Sequence, residues 1–241
     1  MFLVIDIGNT LKKAAVFNTD EALVKMVLWT SWENLQSFIE EYPISACIVS
    51  SVREDAHTLV GELNNLFHTI LFTSKTPLPI TLRYDTPETI GTDRIANAVG
   101  ANTLFPGEAV LAIQAGTCLV ADIVNENGEY LGGSIAPGLQ MRFACLAEKT
   151  ARLPHVQPAP NPPITGTSTE TSILSGVMHG IQFEIEGMIN HYQTLFPNLK
   201  TILTGGDAPL LKKLIKNRIF AAPSLVLIGL HKILKYNASN L

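Results

Sequence analysis

The feature that most constrains this chain is an internal repeat. Ile5-Asp6-Ile7-Gly8-Asn9-Thr10 near the start returns as Ile113-Gln114-Ala115-Gly116-Thr117, with Gly8 and Gly116 108 residues apart. Each copy ends an apolar run at a glycine and is followed by a second apolar run, over residues 13–17 and 118–124. Short apolar runs bounded by turn residues read as buried strands. Each strand–turn–strand opens a half-chain of mixed strands and helices. Duplication of this kind implies two related lobes with a cleft between them, here residues 1–107 and 108–241. A length of 241 residues accommodates that division, at roughly 150 residues per domain.

The rest of each half follows from pattern. In the first, residues 2–7 and 46–52 read as strands. Residues 31–42 and 55–67 read as amphipathic helices, the former capped by Thr30 or Ser31. Residues 77–84 are extended, and a helix opens near Gly91 and runs to Ala101. In the second, residues 109–115, 118–124 and 130–135 read as strands, with Asn127-Gly128 a hairpin turn. Helices follow over residues 139–149 and 169–196, then a strand over 201–203 that ends at Gly205-Gly206. Five prolines between residues 154 and 163 mark an extended surface loop, too short to separate independent domains.

Composition narrows the function class. Hydrophobic residues are 46% of the chain, charged residues 16%, and the formal net charge is −4. A mildly acidic chain lacks the basic footprint of a nucleic-acid binder. The start MFLVID is neither a signal peptide nor a membrane span, and no run approaches the ~18 apolar residues a span needs. Cys47, Cys118 and Cys145 are scattered and odd in number, and the six histidines show no metal spacing. These features predict a soluble cytoplasmic protein that contacts neither nucleic acid nor membrane.

Four segments hold the candidate chemistry. Asp6-Ile7-Gly8-Asn9-Thr10 ends a strand in an acid followed by a glycine turn. Glycine lets backbone N–H groups approach a polyphosphate, and a carboxylate there suits a hydrated magnesium ion. Asn9 and Thr10 offer neutral donors, and Lys13 a positive charge. The same residues equally make a plain hairpin. Neither a P-loop nor a GxGxxG fingerprint is present. Gly91-Thr92-Asp93-Arg94 places an acid and a base at a helix start, where Arg94 can fork onto a carboxylate and Asp93 can accept a hydroxyl proton. Read alone, Thr92 or Asp93 is more simply a helix cap. Gln114 to Asp122 repeats the phosphate turn, and Gly205-Gly206 permits close approach to a base or ribose.

Together and in this order, the four segments resemble the acetate kinase/hexokinase/actin superfamily. DIGNT, YDTPETIGTDRIANAVGA, AGT…D, YLGGSIAPGL, TARLP, GTSTETSILSGV and PSLVLIGLHKIL narrow the resemblance to the type III pantothenate kinases, over nearly the whole chain. The resemblance implies an α/β fold of two duplicated ribonuclease-H-like lobes, mixed sheets flanked by helices, as in actin-like ATPases. It implies ATP-dependent phosphorylation of pantothenate, the first step of coenzyme A biosynthesis, by a homodimer using magnesium and, in many members, potassium or ammonium. It implies an ATP site at Asp6, Ile7, Gly8, Asn9, Thr10, Leu11, Lys12, Lys13, Gly116, Thr117, Gly205 and Gly206, with Asp6 holding magnesium, directly or through water. It implies pantothenate contacts at Tyr84, Gly91, Thr92, Asp93, Arg94 and Thr169, with Asp93 the catalytic base.

One departure stands out. The family's second turn reads Asp-x-Gly-Thr, and its Asp is associated with the monovalent cation. Here Gln114 occupies that position, bringing an amide oxygen but no charge. The alternative expectation is therefore a catalytically impaired regulatory paralogue that binds ATP or pantothenate. A kinase of the same superfamily acting on a sugar or another acid is a third reading.

Overall fold

A computed structural model describes residues 1–51 and 56–238. The chain forms two compact units. One holds residues 1–106, Gly128–Tyr130 and the chain from Ser224; the other holds Gly107–Asn127 and Leu131–Pro223.

The first unit is built on β1 (Phe2–Ile7), β2 (Lys12–Phe17) and β3 (Leu23–Leu28), then α1 (Trp32–Glu40), β4 (Ala46–Ser51), α2 (Ala56–Asn64) and β5 (His68–Leu71). Sheet order is β3-β2-β1-β4-β5. β1–β2 and β2–β3 are antiparallel, whereas β1–β4 and β4–β5 are parallel. The central strands are apolar over most of their length because both their faces are covered, and their polar residues, Asp6, Lys12, Lys13, Ser50 and Ser51, gather at the end that carries the β1–β2 turn. Leu3, Ile5 and Val49 share a core with Leu35 and Phe38 of α1 and Leu63 of α2. α1 begins where the Ser31 hydroxyl accepts a hydrogen bond from the Asn34 N–H. Val52 and Asp55, expected to end β4 and open α2, lie outside the described residues. α2 stops at Asn64, short of the expected Phe67, and leaves Leu66 exposed. The short β6 (Thr81–Leu82), a 3-10 turn at Pro87–Thr89 and α3 (Thr92–Leu104) follow.

The second unit repeats the plan with β7 (Val110–Ala115), β8 (Cys118–Val124), β9 (Glu129–Pro137), α4 (Leu139–Lys149), α5 (Thr169–Leu195), β10 (Lys200–Thr204), α6 (Ala208–Leu211) and β11 (Phe220–Ala221). Sheet order is β11-β10-β7-β8-β9-β6. β7–β8 is antiparallel, and β7–β10 and β10–β11 are parallel. Taken from β9 to β11, this is the strand order of β3 to β5, and β8-β7-β10-β11 run in the same senses as β2-β1-β4-β5, so the sequence repeat is a repeat of topology. Leu111, Ile113, Phe143, Ile181, Ile185 and Leu211 are central to its core. α5 opens in a capping box, Ser168 and Thr171 each satisfying the other's backbone N–H. The first residues of β9 pair with β6, Thr81 with Glu129 and Leu82 with Tyr130, and these belong to the first unit.

The last element among the described residues is α7 (Leu225–Ala238). The expected lobe of residues 108–241 would include it, but α7 lies in the first unit and packs on α3, β1 and β4. Two glycines permit this. A Cβ on Gly229 would lie 1.7 Å from the Ala96 carbonyl oxygen, and one on Gly100 2.5 Å from that of Leu225. The two helix backbones touch where no side chain intervenes. His231 of α7 is buried and stacks on Phe17 at 4.3 Å, and burial lowers its pKa to about 4. Among the described residues, no helix is long and apolar enough to cross a membrane.

Candidate active site

In the first unit the β1–β2 turn is a tight four-residue loop, closed by the Gly8 N–H donating to the Leu11 carbonyl at 3.0 Å. Asn9, Thr10 and Leu11 project into solvent. Lys12 and Lys13 point to opposite faces, as successive strand residues must. The Lys12 ammonium sits 4.7 Å from the centre of the Trp29 ring. Lys13 lies opposite Asp6 across the ladder.

Asp6 is 8% exposed. Burial, the largest influence, raises its pKa to about 6; Lys13 opposes the rise and the charge of Asp93 adds to it. Asp93 comes from the first turn of α3, so the fold joins two carboxylates separated by nearly the whole first half of the sequence. Ser50 links the elements that carry them. It is buried on β4 in register with Asp6, and its hydroxyl donates to that of Thr92 at 3.2 Å.

The α3 terminus differs from the simpler sequence reading. Its N-cap is Gly91, and no side chain caps it. Thr92 and Asp93 are the first helical residues, where the helix dipole favours an anion. The Asp93 carboxylate accepts from the Arg94 N–H at 2.9 Å. A Cβ on Gly91 would press to 2.7 Å from that carboxylate. Arg94 is buried, its guanidinium carbon 6.0 Å from the centre of the half-buried Tyr84 ring. Asp6, Lys13, Thr92 and Asp93 thus lie on linked elements, with Tyr84 beside Arg94.

In the second unit the β7–β8 turn is closed by the Gly116 N–H donating to the Cys118 carbonyl at 3.0 Å. Gln114 lies opposite Val120. Two further glycines seat this turn. Gly138 donates to the Thr117 carbonyl at 3.1 Å, and a Cβ there would lie 2.2 Å from the Gly116 carbonyl oxygen. Gly205 has φ +99°, and a Cβ on it would lie 2.1 Å from the Ala115 carbonyl oxygen. The Asp207 N–H donates to that same oxygen at 3.0 Å, and burial raises the Asp207 carboxyl pKa. The expected adenosine turn therefore packs against the expected phosphate turn. The pair of glycines divides in role: Gly205 serves this packing, while Gly206 has nothing within 4 Å of a would-be Cβ. Thr169 opens α5 and lines a cavity of about 950 Å³ with Arg142, Cys145, Leu146, Leu153 and Ile173.

Sequence reasoning missed Ser50, Gly138 and Tyr130, whose ring centre lies 5.9 Å from that of Tyr84. Tyr130 and Gly138 stand in the YLGGSIAPGL segment, which marked the stretch without singling out either residue, and Ser50 carried no signal.

A family model described as type III pantothenate kinase matches residues 2–191. The chain belongs to the type III pantothenate kinases. A protein named type III pantothenate kinase from Cytophaga hutchinsonii is 44% identical over 237 residues, covering 98% of this chain and 100% of that one. One of the same name from Phocaeicola vulgatus is 42% identical over 240 residues, covering 98% and 99%. Solved structures support the fold alone. A Baf family protein from Campylobacter jejuni aligns with TM-score 0.65 at 23% identity, covering 99% and 100% of the two chains. An activator of 2-hydroxyisocaproyl-CoA dehydratase from Clostridium difficile aligns with TM-score 0.52 at 14% identity, covering 100% and 97%. The expected actin-like α/β fold of two mixed sheets flanked by helices is the fold of this pantothenate kinase family member.

Proposed function

We propose that this chain transfers the γ-phosphoryl group of ATP to the primary hydroxyl of pantothenate, giving 4'-phosphopantothenate, the first step of coenzyme A biosynthesis. The observation that carries the reading is the pairing of Asp93, at the uncapped start of α3, with buried Asp6 and with Arg94 alongside. Asp93 accepts the hydroxyl proton as the phosphoryl group arrives. Arg94, beside Tyr84, meets the pantothenate carboxylate; in the second unit, Thr169 is a further pantothenate contact. In the first unit, Lys13 and the backbone of the Gly8 turn offset charge developing on phosphate; in the second, the Gly116 turn offers backbone N–H groups to phosphate and Gly206 leaves room for adenosine. Catalysis of this kind rests on positioning and electrostatics.

Asp6 suits a hard divalent cation, because burial and Asp93 make its isolated charge costly. Among the described residues no three His, Cys, Asp or Glu side chains cluster as a cage. That fits magnesium, which keeps water and phosphate oxygens as ligands. When bound, the ion supplies positive charge to the phosphate oxygens. At Gln114 a monovalent cation would meet an amide oxygen without a charge, so potassium or ammonium dependence is weak or lost. The protein works in the cytoplasm as a homodimer.

No observation favours the catalytically impaired paralogue. The test is phosphorus NMR of the product from purified protein, ATP and magnesium with pantothenate, glucose or N-acetylmannosamine. A phosphomonoester formed only from pantothenate is the expected result. Phosphorylation of a sugar but not pantothenate would refute the assignment.

A further inference from the structure

The first unit recruits three residues, Gly128–Tyr130, from the start of β9. They are firmly held. The Thr81 N–H donates to the Gly128 carbonyl at 3.0 Å, and the Arg83 N–H to that of Tyr130 at 2.8 Å. Arg83 also pairs with Glu129 at 2.7 Å. Gly128 makes the bend with φ +71°. The side chain delivered by this clamp is Tyr130, at 0% exposure among the largest fully buried side chains of the protein.

The ring of Tyr130 meets that of Tyr84 with 5.9 Å between centres and planes at 43°. Tyr84 lies in the stretch between β6 and the 3-10 turn, outside regular structure. Its ring faces the Arg94 guanidinium at 6.0 Å. The three side chains form a row, from a rigid buried ring through a half-buried ring to a buried cation. A guanidinium recognises a carboxylate through a planar fork, so the plane of the fork decides how well both bonds form. An aromatic face beside the cation limits that plane, provided the aromatic ring is itself held.

We propose that Tyr130 is a positioning residue for carboxylate recognition. It backs Tyr84, which in turn holds the plane of Arg94. The inference rests on the reading above that Arg94 meets the pantothenate carboxylate. It sets apart the end of the substrate that bears the carboxylate from the end that is phosphorylated, so Tyr130 governs substrate affinity and leaves phosphoryl transfer alone.

The test is steady-state kinetics of Tyr130→Leu and Tyr130→Phe, in the natural chain and in an Arg94→Lys background. In the natural background, Tyr130→Leu is expected to raise the pantothenate KM about tenfold, with kcat and the ATP KM within about twofold. Tyr130→Phe keeps the ring and should keep the KM. In the Arg94→Lys background, which retains charge but loses the fork, Tyr130→Leu should add little, because coupled residues are not additive. Tyr130→Met, which keeps most of the buried volume but not the flat ring, takes the place of Tyr130→Leu if that variant does not fold, with the same rise in pantothenate KM expected. An unchanged pantothenate KM, a parallel fall in kcat and ATP affinity, equal loss in the Phe and Leu variants, or full additivity with Arg94→Lys would each overturn the proposal. Failure of the unsubstituted protein to phosphorylate pantothenate would instead overturn the reading beneath it.

Discussion

In the first sheet, β1 and β2 are joined by Gly8, Asn9, Thr10 and Leu11, and Asp6 faces Lys13 across the ladder. In the second, β7 and β8 are joined by Gly116 and Thr117 with Cys118 unpaired in the register, and Gln114 faces Val120. The strand order and sense around the two turns are the same. Only the chemistry differs. The first turn places a buried acid opposite a base and beside a second acid. The second places a neutral amide opposite an apolar side chain and is held by close backbone packing of Gly138 and Gly205. One topology thus carries a turn specialised in charge and a turn specialised in shape.

The contrast is broken most severely at the charged turn's partner. Asp93→Asn should lower kcat by at least ~10²-fold, the range for loss of a general base, with substrate affinities little changed. Turnover equal to the natural protein would remove Asp93 from its role.

Asp6 offers a test in which activity and stability move in opposite directions. Its folded pKa of about 6 lies above the ordinary value of 3.8. Between those values the folded state holds more protons than the unfolded state, so this group's contribution falls as pH rises and is least favourable above about 6. Asp6→Asn should therefore abolish most activity yet stabilise the ligand-free protein by about 1–3 kcal/mol at pH 7. In urea unfolding, that gain should shrink as pH falls below 6 and vanish below 3.8, the unfolded-state value. Destabilisation at pH 7 would mean that the carboxylate is structural.

At the shape-specialised turn, the two glycines should separate. Gly205→Ala meets both a positive φ and the Ala115 carbonyl, and should cost at least about 2 kcal/mol of stability. Gly206→Ala has open space and should leave thermal unfolding unchanged while raising the ATP KM. The smallest effect is expected from Gln114→Asp, which makes the second turn more like the first. It should introduce or strengthen stimulation by potassium without changing the pantothenate KM. Identical potassium response in both proteins would show that position 114 does not set cation dependence.

The duplicated turns were legible in the sequence because both ends of each hairpin are apolar and the turns carry glycine. β3 was not, since Leu23, Val24, Met26 and Leu28 are exposed on an edge strand and alternate with nothing buried. β11 pairs through two residues only, too few to leave a pattern. The placement of α7 escaped because backbone contact at Gly100 and Gly229 is a tertiary fact that each helix sequence leaves unstated. Motif order pointed to Asp6, Asp93 and Arg94 individually. That Asp6 and Asp93 interact, and that Ser50 ties their elements together, depends on β1 and β4 pairing in register, which spacing alone does not reveal.

The most direct test is pantothenate-dependent ADP release by the purified protein with ATP and magnesium, measured with and without potassium. The account predicts release at similar rates in both conditions, as befits a kinase whose second turn has no cation-binding carboxylate. Release only with potassium would contradict the contrast drawn between the two turns. No release in either condition, from folded protein that still binds ATP, would contradict the assignment as a pantothenate kinase.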